Sequence, residues 1–218
     1  MVSEGAPYCA DTRALEAMRP GVAMLSAAHR YQDSITVKHQ DRTAELAVAI
    51  GVRLGLSPSR TEVLRLAAIV HDIGKIGVPA DILRKPGTLS EPEYAIVKTH
   101  CAIGHDVLQH LQAPFPVAEI TLQHHERLDG SGYPRGLSGE SILLEARILC
   151  VADVFDAMTS NRSYRAGFPA DFVLGELQAM GGRLLDADAV DACRHYILTE
   201  PIVRPDTFDT VTASQSVG

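Results

Sequence analysis

The stretch "LAAIVHDIGKIGVP" (residues 66–79) runs apolar and then ends in His71-Asp72, with Lys75 following between two glycines. Charges at the end of a buried helix are costly unless paired or coordinated. A second adjacent pair, His124-His125, ends the apolar run in "EITLQHHERLDGSGYP". His39 opens a further helix, His100 lies in "VKTHCAIG", and Asp153 interrupts "ILCVADVFDAMTS". Any one of these reads blandly, as a hydrogen-bonded core histidine or a capping carboxylate. Together, on different helices, they are hard to explain as independent accidents of packing. Imidazole and carboxylate without thiolate form a ligand set for iron, manganese or zinc, so the pattern predicts a metal centre. His29, His105, His110 and His195 are set aside as bystanders, and Cys101 as a neighbour of His100 rather than a ligand.

Helices must position these groups. Apolar residues recur at three and four, Trp is absent, aromatics make up 5% of the chain, and strand-like alternation is missing. The expected fold is all-α. A first helix is expected over 13–30, broken or kinked at Pro20-Gly21. The next covers 37–55, with Val48, Ile50, Val52 and Leu54 inside. Ser57 reads as the N-cap of a third, with Pro58 in its first turn and Gly74 closing it. "LSEPEYAIVKTHCAIGHDVLQHL" reads as one more, capped by Ser90. A helix over 116–127, a Gly/Pro-rich loop at 129–139, a long helix near 141–160, and helices at 169–180 and 187–198 complete the expectation.

The chain's 218 residues suffice for one substantial core. They divide into a helical lead-in (1–29), a core domain (30–200) and a polar tail without periodicity (201–218). The net charge of −7 gives no global field for polyanions, so no long nucleic acid is expected as a partner and local cations must attract any anionic substrate. No apolar run is long enough to span a membrane. The N-terminal sequence lacks the features of a signal peptide, which reads as cytoplasmic. The four cysteines are scattered without a CxxC pair and read as reduced thiols.

"HDIGKIGVP" (71–79) and "HHERLDGSGYPRGLSG" (124–139) resemble the HD-GYP family of the HD phosphohydrolase superfamily. The likeness spans roughly 33–195, through "SITVKHQDRTAELAVAIGVRLGLS", "ILRKPGTLSEPEYAIVKTHCAIGHDVL" and "LEARILCVADVFDAMTSNRSYR". It implies a helical HD domain with a bridged metal centre that hydrolyses cyclic di-GMP, or in some members cyclic GMP-AMP. Carried over by position, the ligands are His39, His71, Asp72, His100, His124, His125 and Asp153. Asp72 would bridge two divalent ions, iron or manganese, one also held by His39, His71 and Asp153 and the other by His100, His124 and His125. Some members bind a third metal through a glutamate four residues before the first histidine; Ile35 stands there, which argues for a dinuclear site. Such chemistry needs no side-chain nucleophile, and no serine or cysteine sits beside a clear base.

Lys75 follows Asp72 by three residues and is expected to meet a substrate phosphate. The resemblance gives Arg162 and Arg165 the same role and puts Tyr133 at the lip of the site. Asp156, one turn after Asp153, is expected either to pair with Lys75 or to orient a ligand. The other readings are a catalytically silent cyclic-dinucleotide-binding or signalling module, and an HD phosphohydrolase of simple nucleotides. A homodimer through the first helix and signalling protein partners complete the expectations.

Overall fold

In the computed structural model, residues 12–32, 34–161 and 166–199 are described, and side chains are described outside 30–37. Ten α-helices follow one another there: α1 Thr12–Gln32, α2 Ser34–Arg53, α3 Pro58–Val70, α4 Ala80–Leu83, α5 Glu91–Lys98, α6 His100–Gln109, α7 Val117–Gln123, α8 Leu144–Thr159, α9 Ala170–Met180 and α10 Ala187–Thr199. Short 3-10 turns cover Ile73–Gly77 and Gly139–Ser141. Two isolated bridges, Asp129 with Ser138 and Gly181 with Leu185, are the extent of strand-type pairing among the described residues. The fold is an all-α bundle.

The core is built where apolar faces meet. α2 packs on α3 and α8, α6 on α7 and on the 3-10 turn after α3, and α10 on α2. Ile50, Leu64, Leu66, Ile120, Ile148, Leu149 and Leu177 are all but inaccessible at the centre. Leu15, Met18 and Val22 of α1 join the same core. No helix among the described residues is long and apolar enough to cross a membrane.

Several local expectations are corrected. Pro20 does not end α1, which runs on to Gln32. Its buried side chains on either side of the proline pack against α3, which offsets a penalty of about 3 kcal/mol for an interior proline. Val52 is 61% exposed. Residues 48, 50, 52 and 54 follow a period of two, whereas the buried face of α2 follows the helical period through Thr43, Ala44, Ala47 and Ile50. Ser57 does cap α3 with Pro58 in its first turn, but the helix stops at Val70 rather than at Gly74. Gly74 lies inside the 3-10 turn that carries the chain past Asp72. The helix expected after Ser90 is divided at Thr99, whose hydroxyl donates to the Ile96 carbonyl, into α5 and α6. The capping box at its start is present, with the Ser90 N–H donated to Glu93 at 2.7 Å.

Candidate metal centre

Three helix ends converge on one spot. His71 follows α3, His100 follows the last turn of α5, and His124 follows α7. The last turn of a helix leaves carbonyls without intrahelical partners. Each imidazole takes one: His71 Nδ1–H donates to Ala68 O at 2.7 Å, His100 Nδ1–H to Val97 O at 2.7 Å and His124 Nδ1–H to Thr121 O at 2.5 Å. A carbonyl can only accept, so the proton of each neutral ring lies on Nδ1 and each Nε2 carries a lone pair. All three rings are buried.

The lone pairs point at one another. His100 Nε2 and His124 Nε2 are 3.5 Å apart, with both ring protons committed elsewhere. Two acceptors at that distance repel unless a cation lies between them. Burial, and then the neighbouring imidazoles, hold His124 well below the usual histidine range. Burial pushes His125 down to about 3 and lowers His100 as well. These rings are neutral donors near pH 7 and give up no proton to bind a metal.

His39 reaches the same place from α2. Its Nδ1–H donates to Asp156 Oδ2 at 2.6 Å, and its Nε2 lies 3.1 Å from Asp153 Oδ1. Burial opposes its charge, but the bonds to Asp153 and Asp156 prevail and raise its pKa to about 9. Asp156 is held in turn by Arg42, through Nε at 2.5 Å and Nη2 at 2.9 Å, and Arg42 also donates to Ser160 Oγ at 2.7 Å. Asp156 thus orients His39. It does not pair with Lys75, which donates to Asp72 Oδ2 at 2.6 Å.

Asp72 sits at the centre, 2% exposed. Its Oδ2 is 3.5 Å from His71 Nε2 and its Oδ1 is 3.5 Å from His100 Nε2. Burial works against its ionised form, but Lys75 and then His71 hold its carboxyl well below the usual range. Asp153 lies between His39 and His125, with Oδ2 4.0 Å from His125 Nδ1. Three groups place their donor atoms within 4.8 Å of one another: His39, His71 and Asp153; His71, Asp72 and His124; and His100, Cys101, His124 and His125. The donor set fits one or more divalent cations. Arg162, Arg165 and the side chain of Ile35 lie outside the described residues.

The loop after His125 folds back against that residue. Gly132 comes so close to the preceding backbone that an added Cβ would stand 2.5 Å from His125 O. The Tyr133–Pro134 peptide is cis, and the Tyr133 ring lies 4.8 Å from that of His125. Lys98 Nζ stands 5.2 Å from the Tyr94 ring and 5.8 Å from the Tyr133 ring, a cationic and aromatic rim. Buried Glu126 fastens the loop by accepting the N–H groups of Arg135 at 2.7 Å and Leu137 at 3.0 Å. Glu126→Ala leaves both donors without their partner. It is expected to cost about 2 kcal/mol in urea unfolding; a change within error would show that the loop is held elsewhere.

Arg42, Tyr94, Lys98 and Glu126 stand at or beside the cluster and were not singled out by the sequence, which marked Cys101 only as a neighbour of His100. A signal existed for two of them: Arg42 follows His39 by three residues, and Lys98 precedes His100 by two. The bystander histidines stand apart. His29 bonds to Gln40, and His105 lies beside Asp106 and Glu119. The described cysteines, Cys101, Cys150 and Cys193, are free and buried; Cys9 lies outside the described residues.

Residues 24–189 match the HD domain family. The chain belongs to that family. Its motifs make it HD-GYP-like, and curated cyclic dinucleotide phosphodiesterases are among its relatives. This HD domain is 44% identical to the cyclic di-GMP phosphodiesterase response regulator RpfG of Xanthomonas campestris over 81% of this chain and 47% of the relative. It is 42% identical to the 3'3'-cGAMP-specific phosphodiesterase 1 of Vibrio cholerae over 66% of this chain and 33% of the relative. The chain spans about half or less of the length of these proteins. Among solved structures, the HDG"Y"P protein Bd1817 of Bdellovibrio bacteriovorus superposes with a TM-score of 0.63 at 21% identity, over 74% of this chain and 52% of that one, a likeness of fold.

Proposed function

We propose that this HD domain is a metal-dependent phosphodiesterase that hydrolyses cyclic di-GMP to the linear dinucleotide pGpG, in bacterial second-messenger signalling in the cytoplasm. The observation that carries the reading is Asp72, a buried carboxylate whose two oxygens face histidines of two different donor groups. His39, His71 and Asp153 would hold one ion, His100, His124 and His125 the other, and Asp72 would serve both. Iron or manganese suits the set, and Ile35 argues against a third ion. Two divalent ions there would supply Lewis acidity at a phosphodiester and lower the pKa of water.

The chain's own groups do the rest. The Lys75 ammonium, 27% exposed at its side chain, stands at the mouth of a centre otherwise rich in carboxylates and attracts the substrate's phosphate. Tyr133 offers a ring face and hydroxyl to a base or ribose at the lip. Arg162 and Arg165 are proposed as phosphate contacts, since a guanidinium fork matches phosphate oxygens. Asp156 fixes the tautomer and aim of His39. The catalytic domain is read as 30–200, with 1–29 leading into it.

Asp156→Asn removes the charge that orients His39. It is expected to lower metal affinity by about 10- to 100-fold, read by titration against a chelating dye. Unchanged affinity would mean that His39 needs no such partner.

The experiment is an anaerobic turnover assay. Protein loaded with ferrous iron or manganese is mixed with cyclic di-GMP, or with 3'3'-cGAMP in parallel, and the products are separated by chromatography. Linear pGpG formed from cyclic di-GMP, and not by Asp72→Ala protein, supports the reading; further conversion to GMP would show the second step. Faster hydrolysis of the mixed dinucleotide would favour the second reading, to which the likeness to the Vibrio cholerae phosphodiesterase 1 points. No product from metal-replete protein would move the function to a silent binding module.

A further inference from the structure

Cys101 presents a buried sulfur to this centre. α6 begins at His100, and its buried face follows residues 101, 104 and 108, so the helical register turns Cys101 inward. The residue is wholly inaccessible, and its Sγ lies 3.5 Å from His100 Nε2. The sulfur and the ring nitrogens of His100, His124 and His125 all fall within 4.8 Å of one another. Neither Cys150 nor Cys193 enters a donor group among the described residues.

Two separations in this group match those of a coordination shell. With bonds of about 2.0 Å to nitrogen and 2.3 Å to sulfur, neighbouring donors on one metal stand about 3 to 4 Å apart. The His100–His124 and His100–Cys101 separations are both 3.5 Å. An independent feature points the same way: the His100 and His124 lone pairs face each other with no proton between them, because both Nδ1–H groups are bound to backbone carbonyls.

We propose that Cys101 is a metal ligand in this chain, joining His100, His124 and His125, beside Asp72, in a mixed thiolate–imidazole–carboxylate set that takes a borderline-soft divalent cation. The inference rests on reading this cluster as a metal centre. On coordination the thiol proton passes to solvent and the sulfur binds as thiolate. A thiolate favours zinc, cobalt or ferrous iron over manganese and magnesium. This position therefore differs in character from the one formed by His39, His71 and Asp153, which offers only nitrogen and oxygen.

The test is a titration of the metal-free full chain with cobalt(II) under anaerobic conditions, read by absorption. The expected result is a near-ultraviolet sulfur-to-cobalt charge-transfer band that saturates together with the visible ligand-field bands. Cys101→Ser and Cys101→Ala should each keep the visible bands and lose the near-ultraviolet one. In competition, the preference for zinc over manganese should narrow at least about tenfold in both variants. Visible bands without charge transfer in the unaltered chain, or a charge-transfer band that survives both substitutions, would overturn the role of Cys101 and leave the centre standing. A chain that binds no cobalt would overturn the metal centre as well.

Discussion

Asp72→Ala is expected to abolish cyclic dinucleotide hydrolysis, by at least about a thousandfold, and to lower bound metal in the same preparation. One oxygen of the carboxylate faces His71 and the other His100, each at 3.5 Å, so under the proposed ligand assignment its loss would strip an anionic donor from both ion positions at once. Loss of His39 or His125 would deprive one position alone. Folding should suffer far less than function. Burial works against the ionised form of Asp72, and its partner Lys75 is exposed enough to find water when the carboxylate goes. Asp72→Asn keeps the shape and removes only the charge, so it should reproduce the loss with thermal stability near that of the unaltered metal-free chain. Metal content by mass spectrometry beside turnover decides the matter. Full metal and full turnover in either variant would end the shared-carboxylate reading.

Gly74→Ala should be strongly disruptive. An ideal Cβ there would stand 1.9 Å from His100 O and 2.5 Å from Gly104 N, and neither is a side chain that can swing aside. The 3-10 turn of Ile73–Gly77 and the first turn of α6 pack backbone to backbone, and only glycine permits it. The substitution must push the two segments apart. That should cost at least about 3 kcal/mol, read as a fall in the urea midpoint. Because Asp72 and His100 are carried by those two segments, metal affinity should fall with stability. Gly175→Ala in α9 is the control: its added Cβ meets nothing within 4 Å and it lies in a helix interior, where alanine is preferred. That variant should be at least as stable as the parent. Equal stability of both variants would refute the close-packing argument.

The adjacent polar pairs at 71–72 and 124–125, each ending an apolar run, were visible in the linear chain because a local pattern of burial is interrupted there by groups that need partners. The all-α class was visible for a similar reason: helical periodicity is local, repeating every few residues whatever the rest of the chain does. Cap chemistry at Ser57 and Ser90 is local too, set by bonds three residues away.

Other features depend on contacts that no local pattern contains. Arg42 and Asp156 meet across 114 residues, and neither identity foretells the other. The choice of Asp156 between His39 and Lys75 was settled by the packing of α2 against α8, which places Asp156 beside Arg42 and His39 while Lys75 turns to Asp72. The division at Thr99 sets the phase of α6, and with it the inward turn of Cys101, which the sequence marked only as a neighbour of His100. Val52 lies outside because a helix face is chosen by the neighbour it meets, not by the apolar content of the strip. Residue type and short-range spacing therefore defined the donors and the helices that carry them. How those helices pack decided which donors face one another, because side-chain direction follows helix phase and crossing geometry, and these are set by the assembled core.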